Sequence, residues 1–386
     1  MPSRKKKIAV IFGTRPDTIK LAPIILELRK HPHFRVINIA TAQHRHMLDQ
    51  VLDVFGIKPD FDLDIMEPKQ SLAKLTKNSI AALDDVLVKT KPDMVLVQGD
   101  TTTTFVGSLA AFYRQIPVGH VEAGLRTEDK ANPFPEEINR RLTSCIADLH
   151  FAPTSTAKRA LLREHIPDDH IIVTGNSVID ALQYSIKKVY RFSDPRLNEY
   201  VDERRRIILL TMHRRENWGA PMIGACEAVR TLAKQYSADR FVFPVHLNPI
   251  VRDVVYPILG NLKNVILIEP LPYIEFANLM ARSYLILTDS GGVQEEGPSL
   301  GKPVLVLRKV TERPEAVKFG TVKLVGLDQN MITLAARRLL DNARAYQRMA
   351  SATNPYGDGR ASRRTIQALE YFFKFARRKP SEFSPR

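Results

Sequence analysis

Short apolar runs alternate with amphipathic stretches from Ile8 onward, and the same plan starts again at Ile207 after a polar, aperiodic interval. That pattern predicts an α/β protein of two Rossmann-like domains facing a cleft. A length of 386 residues agrees, because a single hydrophobic core stops growing before a chain of that size. Polar or glycine-containing turns directly follow several of the apolar runs, which is where parallel sheets bind ligands.

Ile8–Phe12 reads as the first strand and Gly13-Thr14-Arg15-Pro16 as its turn; helix Thr18–Lys30 follows, with Ile19, Pro23, Leu26 and Leu28 on or near its buried side. Pro16 and Pro23 bracket the first helical turns and predict an irregular start. Val36–Ala40 is the next strand, and the Gln43–His46 segment leads into a helix through Val54. Asp60–Gln70 is a polar loop, and Ser71–Lys89 a long amphipathic helix ending before Lys91-Pro92. Strand Met94–Val97 delivers Gln98, Gly99, Asp100 and four threonines to its carboxyl end, and strand Val118–Val121 delivers Glu122 to Arg126. The prolyl loop Asn132–Pro135 opens helix Glu136–Ala147, and the turn Thr174–Asn176 starts helix Val178–Lys188. The first domain is thus drawn over 1–190.

Arg191–Arg205 is polar, charged and without periodicity, as expected of an inter-domain linker. A second domain over 191–361 begins with strand Ile207–Thr211 and continues with Phe241–Phe243, Val265–Ile268, Tyr284–Leu287, Val304–Leu307 and Val322–Val325. Within Leu287–Val306, Asp289 and Ser290 are placed to cap a helix, and Gly291 and Gly292 let the backbone approach a ligand closely. Free N–H groups at that helix start would favour an anion such as phosphate, although an ordinary βα turn carries the same residues. The final segment Ser362–Phe375 has Ile366, Leu369 and Phe373 on one side, so 362–386 is expected to pack back on the first domain.

Composition narrows the function classes. No stretch approaches the ~18 apolar residues of a membrane span, and the start, MPSRKKKIAVIF, reads as a tail feeding the first strand. Cys145 and Cys226 lie far apart in different expected domains, so neither a disulfide framework nor a zinc site is indicated, and a reducing cytoplasm is the expected home. A net charge of +15 raises nucleic-acid binding as a reading. The excess, however, sits at the ends and scattered over helices, with no aromatic-interleaved basic motif, and a small polyanionic ligand suits it without a polynucleotide.

The motifs are FGTRPDTIKLAP at Phe12–Pro23, TAQHRHMLDQVL at Thr41–Leu52, QGDTTTT at Gln98–Thr104, GHVEAGLRT at Gly119–Thr127 and PFPEEINRRL at Pro133–Leu142. They continue with TGNSVIDAL at Thr174–Leu182, HRREN at His213–Asn217, PVHLNP at Pro244–Pro249, LTDSGGVQEEGPSLGKPVLVLR, TERPEAV and NPYGDG. Together, in this order from Ile8 to Arg360, they resemble the non-hydrolysing UDP-N-acetylglucosamine 2-epimerases. The resemblance implies a glycosyltransferase-B-like fold, a homodimer, a UDP-sugar substrate, and interconversion of UDP-N-acetylglucosamine and UDP-N-acetylmannosamine.

No carbonyl acidifies the C2 proton of that sugar. A transient oxidation would need a nicotinamide cofactor, but the first turn, Gly13-Thr14-Arg15-Pro16, is not a G-x-G-x-x-G. The family is understood to remove the C2 proton as UDP leaves C1, giving a 2-acetamidoglucal, and to add UDP back with protonation from the opposite face. That route implies no cofactor and no metal, but acid/base groups on both faces and a hold on the diphosphate.

By resemblance, Asp100, Glu122 and Glu136 match the family's catalytic carboxylates. The residue pattern alone also fits Asp100 as a helix cap and Glu136 as a first-turn residue favoured by the dipole. The resemblance further implies that Arg15 reaches the nucleotide, that Lys20 lies near the reacting sugar and that His213 stabilises or protonates the leaving phosphate; a solvent-facing helix start would suit Lys20 equally. Ser290, Gly291 and Gly292 correspond to diphosphate ligands, Glu296 to the ribose-hydroxyl acceptor, Arg313 to an active-site cation and Phe276 to the residue beside uracil. An amphipathic core position is the competing reading for Phe276.

Three departures stand out: Asp17 where the family usually has Glu, His46 where Glu follows Gln-His-Arg, and Gly297 in place of a common Ala. Bacterial members form a second, regulatory UDP-N-acetylglucosamine site near the positions of Gln43 and His46, so His46 bears on that activation. The alternatives are a UDP-sugar glycosyltransferase of the same fold, an epimerase of a related UDP-amino sugar, and a hydrolysing relative. The triple of Asp100, Glu122 and Glu136 favours epimerisation.

Overall fold

Each half of the chain is built on one parallel sheet. The computed structural model describes residues 4–41, 45–67, 70–202 and 205–385, with the backbone alone for 45–47 and 202. One compact unit comprises Met1–Tyr184 with Tyr356–Pro385, and the other Ser185–Pro355.

The first unit contains β1 (Lys6–Phe12), β2 (Phe34–Ala40), β3 (Phe61–Asp62), β4 (Met94–Gln98), β5 (Val118–Val121), β6 (Leu149–Ala152) and β7 (Ile171–Val173), in the order β3-β2-β1-β4-β5-β6-β7. The second contains β8 (Ile207–Thr211), β9 (Arg240–Pro244), β10 (Val265–Ile268), β11 (Leu285–Thr288), β12 (Val304–Val306) and β13 (Val322–Leu324), in the order β10-β9-β8-β11-β12-β13. Neighbouring strands pair in parallel in both. In each sheet the strand order reverses beside the first strand, between β1 and β4 and between β8 and β11. Successive loops diverge at such a switch point and leave a crevice at the carboxyl edge. The turns after β1 and β8 therefore lie beside the loops after β4 and β11.

The central strands read as unbroken apolar runs because helices cover both faces of the sheet; all of Met94–Gln98 is buried. β3 falls in the stretch expected to be a polar loop. It pairs only Phe61 and Asp62 with Ile39 and Ala40, which is too short to show a period.

Helix Arg15–Lys30 begins at Arg15 rather than Thr18 and runs through Pro23. Its start is ordered by Asp17, whose buried carboxylate accepts the N–H groups of Gly13 (3.0 Å) and Thr14 (2.9 Å) and the Thr14 hydroxyl. Pro16 sits in the first turn, where a missing N–H costs nothing. Helix Thr102–Tyr113 is capped by Thr101, whose hydroxyl accepts the Thr104 N–H at 3.3 Å, so Asp100 is not the cap that its position also allowed.

The expected linker Arg191–Arg205 contains helix Pro195–Asp202, and the boundary lies at 184/185 rather than 190/191. This segment buries Phe192 and Leu197, and polar contacts at it and just before it lie within the second unit. Ser193 N–H donates to Glu275 (3.3 Å), and buried Asn278 accepts the Lys187 N–H and donates to the Ser185 carbonyl, both at 3.0 Å. The second crossing lies at 355/356. Beyond it, helix Ala361–Phe372 packs in the first unit on helix Arg15–Lys30, and Asp180 accepts the N–H groups of Ala361 (3.2 Å) and Ser362 (2.8 Å) at its start.

The first switch point is tightly closed. A Cβ on Gly13 would lie 2.2 Å from Thr41 Oγ1 and 2.5 Å from Thr103 Oγ1, hydroxyls that bond each other at 2.9 Å. Gly13→Ala should therefore lower the unfolding free energy by about 1–3 kcal/mol, read from urea transitions; an unchanged midpoint would show that the turn yields freely.

Candidate active site

At the carboxyl edge of the first sheet, Glu122 leaves β5 with a left-handed backbone, φ +62°. Such a conformation is strained for a side chain of this size and persists only where its surroundings impose it. The buried carboxylate accepts from Lys20 Nζ at 2.6 and 2.5 Å, from Asn176 Nδ2 at 2.9 Å and from Gln98 Nε2. These donors come from the helix after β1, the turn after β7 and the end of β4. Lys20 is therefore turned toward the sheet, not toward solvent, with its side chain 18% exposed. The regular helix start set by Asp17 puts it there.

Asp100 follows β4. Its Oδ2 accepts from Arg140 Nη2 at 2.5 Å, and its backbone carbonyl accepts from Asn139 Nδ2 at 2.9 Å. Burial raises the Asp100 pKa above the usual carboxylate range; Arg140 opposes the rise, Glu122 adds to it, Lys20 opposes it and Glu136 adds to it. Lys20, Asp100, Glu122, Glu136 and Arg140 thus form one electrostatic neighbourhood. Glu136 opens helix Glu136–Ile146 and is partly exposed, as is Arg15 at the start of its own helix. Neither side chain is bonded to another among the described residues.

At the second switch point, Asp289 is fully buried. It accepts the backbone N–H groups of His213 (3.0 Å) and Arg214 (2.9 Å) and Asn217 Nδ2 (2.9 Å), and lies 3.3 Å from His213 Nδ1. Asp289 is thus not the helix cap that its sequence position suggested. Helix Val293–Ser299 starts after Gly292 with no side-chain cap, and Ser290 likewise caps nothing. The Asp289 N–H still follows the sheet register, bonding Thr211 O at 3.2 Å, which directs the carboxylate to the turn after β8. Burial holds the His213 imidazole below its ordinary pKa, with Asp289 opposing that shift.

Ser290 N–H donates to Thr288 Oγ1 at 2.9 Å, fixing the loop that carries Gly291 and Gly292. A Cβ on Gly291 would lie 3.6 Å from Arg214 Nη2 and 3.9 Å from Arg313 Nη2, so two guanidinium groups flank this glycine. Arg313 is held by Glu295, Nε to Oε1 2.5 Å. Glu296 is buried and accepts from the Tyr273 hydroxyl at 3.2 Å; burial first, and then Glu296, push that phenol well above its ordinary pKa. Phe276, in helix Tyr273–Arg282, is partly exposed and is not among the buried residues of that helix, against its reading as a core position. Gln43 and the His46 side chain lie outside the described residues. Among the described residues, no group of His, Cys, Asp and Glu could hold a metal ion, and no helix is long and apolar enough to cross a membrane.

A glycine loop with two guanidinium groups beside it suits a diphosphate, and carboxylates in unlike surroundings suit proton transfer. The family model for UDP-N-acetylglucosamine 2-epimerase matches residues 26–370. The Bacillus subtilis UDP-N-acetylglucosamine 2-epimerase is 53% identical over 381 residues, 99% of each chain. The chain belongs to the UDP-N-acetylglucosamine 2-epimerase family. Among solved epimerases, the Neisseria meningitidis enzyme bound to UDP-N-acetylglucosamine is 52% identical with a TM-score of 0.84, covering 94% of this chain and 99% of its own. S. aureus MnaA with UDP is 50% identical with a TM-score of 0.87, covering 98% and 100%.

The family resemblance names some members of each cluster and passes over several of their partners. Gln98, Asn176, Glu137, Arg140, Asp289 and Arg214 stand inside motifs and Tyr273 outside them, yet only their partners in space reveal what they do. His120 is another. It is fully buried on β5 opposite His150 on β6, and its Nε2–H donates to the Gly99 carbonyl at 2.8 Å, just before Asp100. The carbonyl can only accept, which puts the ring proton on Nε2, and among the described residues Nδ1 has no partner.

Burial pushes the His120 pKa down to about 3. The unfolded chain therefore takes up a proton at this residue below about pH 6.5 that the folded chain refuses, and stability is lost as pH falls through that window. Between pH 7 and pH 5, the wild type should lose about 2 kcal/mol more unfolding free energy than His120→Gln, which still offers a donor to Gly99. Equal losses in urea titrations would show that His120 titrates normally.

Proposed function

We propose that this chain inverts C2 of UDP-N-acetylglucosamine, reversibly giving UDP-N-acetylmannosamine, by eliminating UDP to a 2-acetamidoglucal and adding it back. The observation that carries the reading is the pair of recessed carboxylates at the first switch point, Asp100 bonded to Arg140 and Glu122 bonded to Lys20. The similar proteins named as 2-epimerases support the same reaction.

The reaction is redox-neutral. The C2 proton passes to a protein base, the C–H electron pair becomes the C1=C2 bond, and the C1–O pair leaves on UDP. Re-addition reverses each step, with the proton delivered from the other face. Asp100, Glu122 and Glu136 serve the proton transfers, and Lys20 balances charge beside Glu122. Ser290, Gly291, Gly292 and Arg313 hold the diphosphate, and His213 assists the leaving phosphate. Glu296 takes the ribose hydroxyl, Phe276 lies beside uracil, and Arg15 reaches the nucleotide. Neither nicotinamide nor metal has a part in this scheme.

We further propose a cytoplasmic homodimer. Exposed Val88, Phe112, Tyr113, Ile138 and Leu142 lie on helices Leu72–Thr90, Thr102–Tyr113 and Glu136–Ile146, which pack on one another and offer apolar surface for a second copy. Light scattering should give twice the monomer mass, and Phe112→Glu with Tyr113→Glu should halve it; a monomeric wild type would remove the dimer.

The reaction is tested by incubating the protein with UDP-N-acetylglucosamine in deuterated water without added nicotinamide or metal. Solvent deuterium should appear at C2 together with UDP-N-acetylmannosamine, and product that keeps its C2 proton entirely would sink the elimination route. Asp100→Asn and Glu122→Gln should each lower turnover at least ~100-fold while UDP still binds; wild-type rates in both would remove the assignment.

A further inference from the structure

Of the acidic residues opening helix Glu136–Ile146, the motif points to Glu136, yet its neighbour Glu137 is the one the fold encloses completely. Glu137 Oε2 accepts the Thr127 N–H at 3.1 Å, and Oε1 accepts from Arg141 Nε at 2.9 Å. One helical turn on, Arg140 is also buried, and its Nη1 lies 3.5 Å from Glu137 Oε2. The other arm of that guanidinium reaches Asp100 Oδ2 at 2.5 Å. A buried acid therefore anchors a buried cation, and the cation is aimed at a carboxylate that the proposed reaction uses.

We infer that Arg140, anchored by Glu137, is a positioning residue for the epimerisation: it keeps the Asp100 carboxylate ionised and oriented to accept the C2 proton. The inference rests on the epimerase reading above. The charged groups facing Asp100 are Arg140, Lys20, Glu122 and Glu136. The two glutamates oppose a negative charge on Asp100, and Lys20 is engaged by Glu122 at 2.5 Å. Arg140 is the cation bonded to Asp100 itself. Its charge cannot be lost by deprotonation, so it biases Asp100 toward the anion at every working pH. A bound UDP-sugar brings further negative charge and makes that bias more necessary.

Turnover that needs ionised Asp100 is present above its pKa and lost as pH falls through it. Burial already raises that pKa and Arg140 opposes the rise, so removing the guanidinium moves the acid limb of kcat to higher pH.

The test compares kcat and KM from about pH 5 to about pH 10 in wild type, Arg140→Gln and Arg140→Lys, with UDP binding confirmed for each. Gln keeps a donor without the charge. Its acid limb should rise by at least ~1 pH unit, with kcat near pH 7 lowered ~10-fold or more, recovering toward high pH, and KM within ~3-fold of wild type. Lys keeps the charge, and its limb should stay within ~0.5 unit of wild type even if kcat falls. A Gln limb that does not move, or a Lys limb displaced as far as the Gln one, overturns the inference. Should Arg140→Gln not bind UDP, the Lys variant decides: a limb at the wild-type position supports the role of charge, and one displaced by more than ~0.5 unit overturns it. A wild type that exchanges no deuterium at C2 would instead remove the epimerase reading.

Discussion

Glu122 carries a charge that the fold takes out of water, and meeting its needs ties together strands far apart in sequence. Lys20, Gln98 and Asn176 reach it from beyond β1, β4 and β7, while Glu122 itself ends β5. Breaking a buried ion pair by removing one member costs about 3–5 kcal/mol, because the charge left behind has no compensation. That scale explains how the left-handed φ of Glu122, a cost of about 1–3 kcal/mol, is sustained. The backbone strain and the donor set together specify one orientation of the carboxylate, as the proton transfer proposed for it would require.

The second unit solves a comparable problem differently. Asp289 is enclosed and spends its oxygens on the turn after β8, bonding two backbone N–H groups and Asn217. Through that turn it sets where Arg214 starts, and Arg214 reaches Gly291 from one chain segment while Arg313, held by buried Glu295, reaches it from another. Asp289 thus acts on the loop from behind. Parallel connectivity makes both arrangements possible, because it brings the carboxyl ends of sequence-distant strands to one edge and leaves a crevice where their order reverses.

This division also explains what was legible in the chain. Val118–Val121 and Ile207–Thr211 have the bounds that their apolar runs suggested. Lys20, Asp100 and Glu122 were legible through family motifs, and they do share one neighbourhood. Asp289 was misread as a cap because local spacing favours the nearest helix start, whereas register with β8 sends its carboxylate the other way. Helix Pro195–Asp202 was hidden because it is short and Leu197 is its one fully buried apolar residue among charged neighbours, too little to show a period. The role of Arg140 and its neighbour Glu137 was invisible because the pairing of Arg140 with Asp100 crosses 40 residues, and no linear period reports it.

The two recessed carboxylates differ most in their cations. Asp100 lies against a guanidinium, which holds its proton at any working pH, so that pair can change charge only at Asp100. Glu122 lies against an ammonium, whose pKa responds to its surroundings, and against two amides that accept or donate without carrying charge. Inversion at C2 requires that a proton leave one face and return to the other, and that the roles exchange when the reaction runs backward. Two carboxylates in identical settings would compete for the same state. In the proposed reaction, unlike cations would let the two carboxylates hold protons differently, and that difference lies in the partners rather than in the carboxylates themselves.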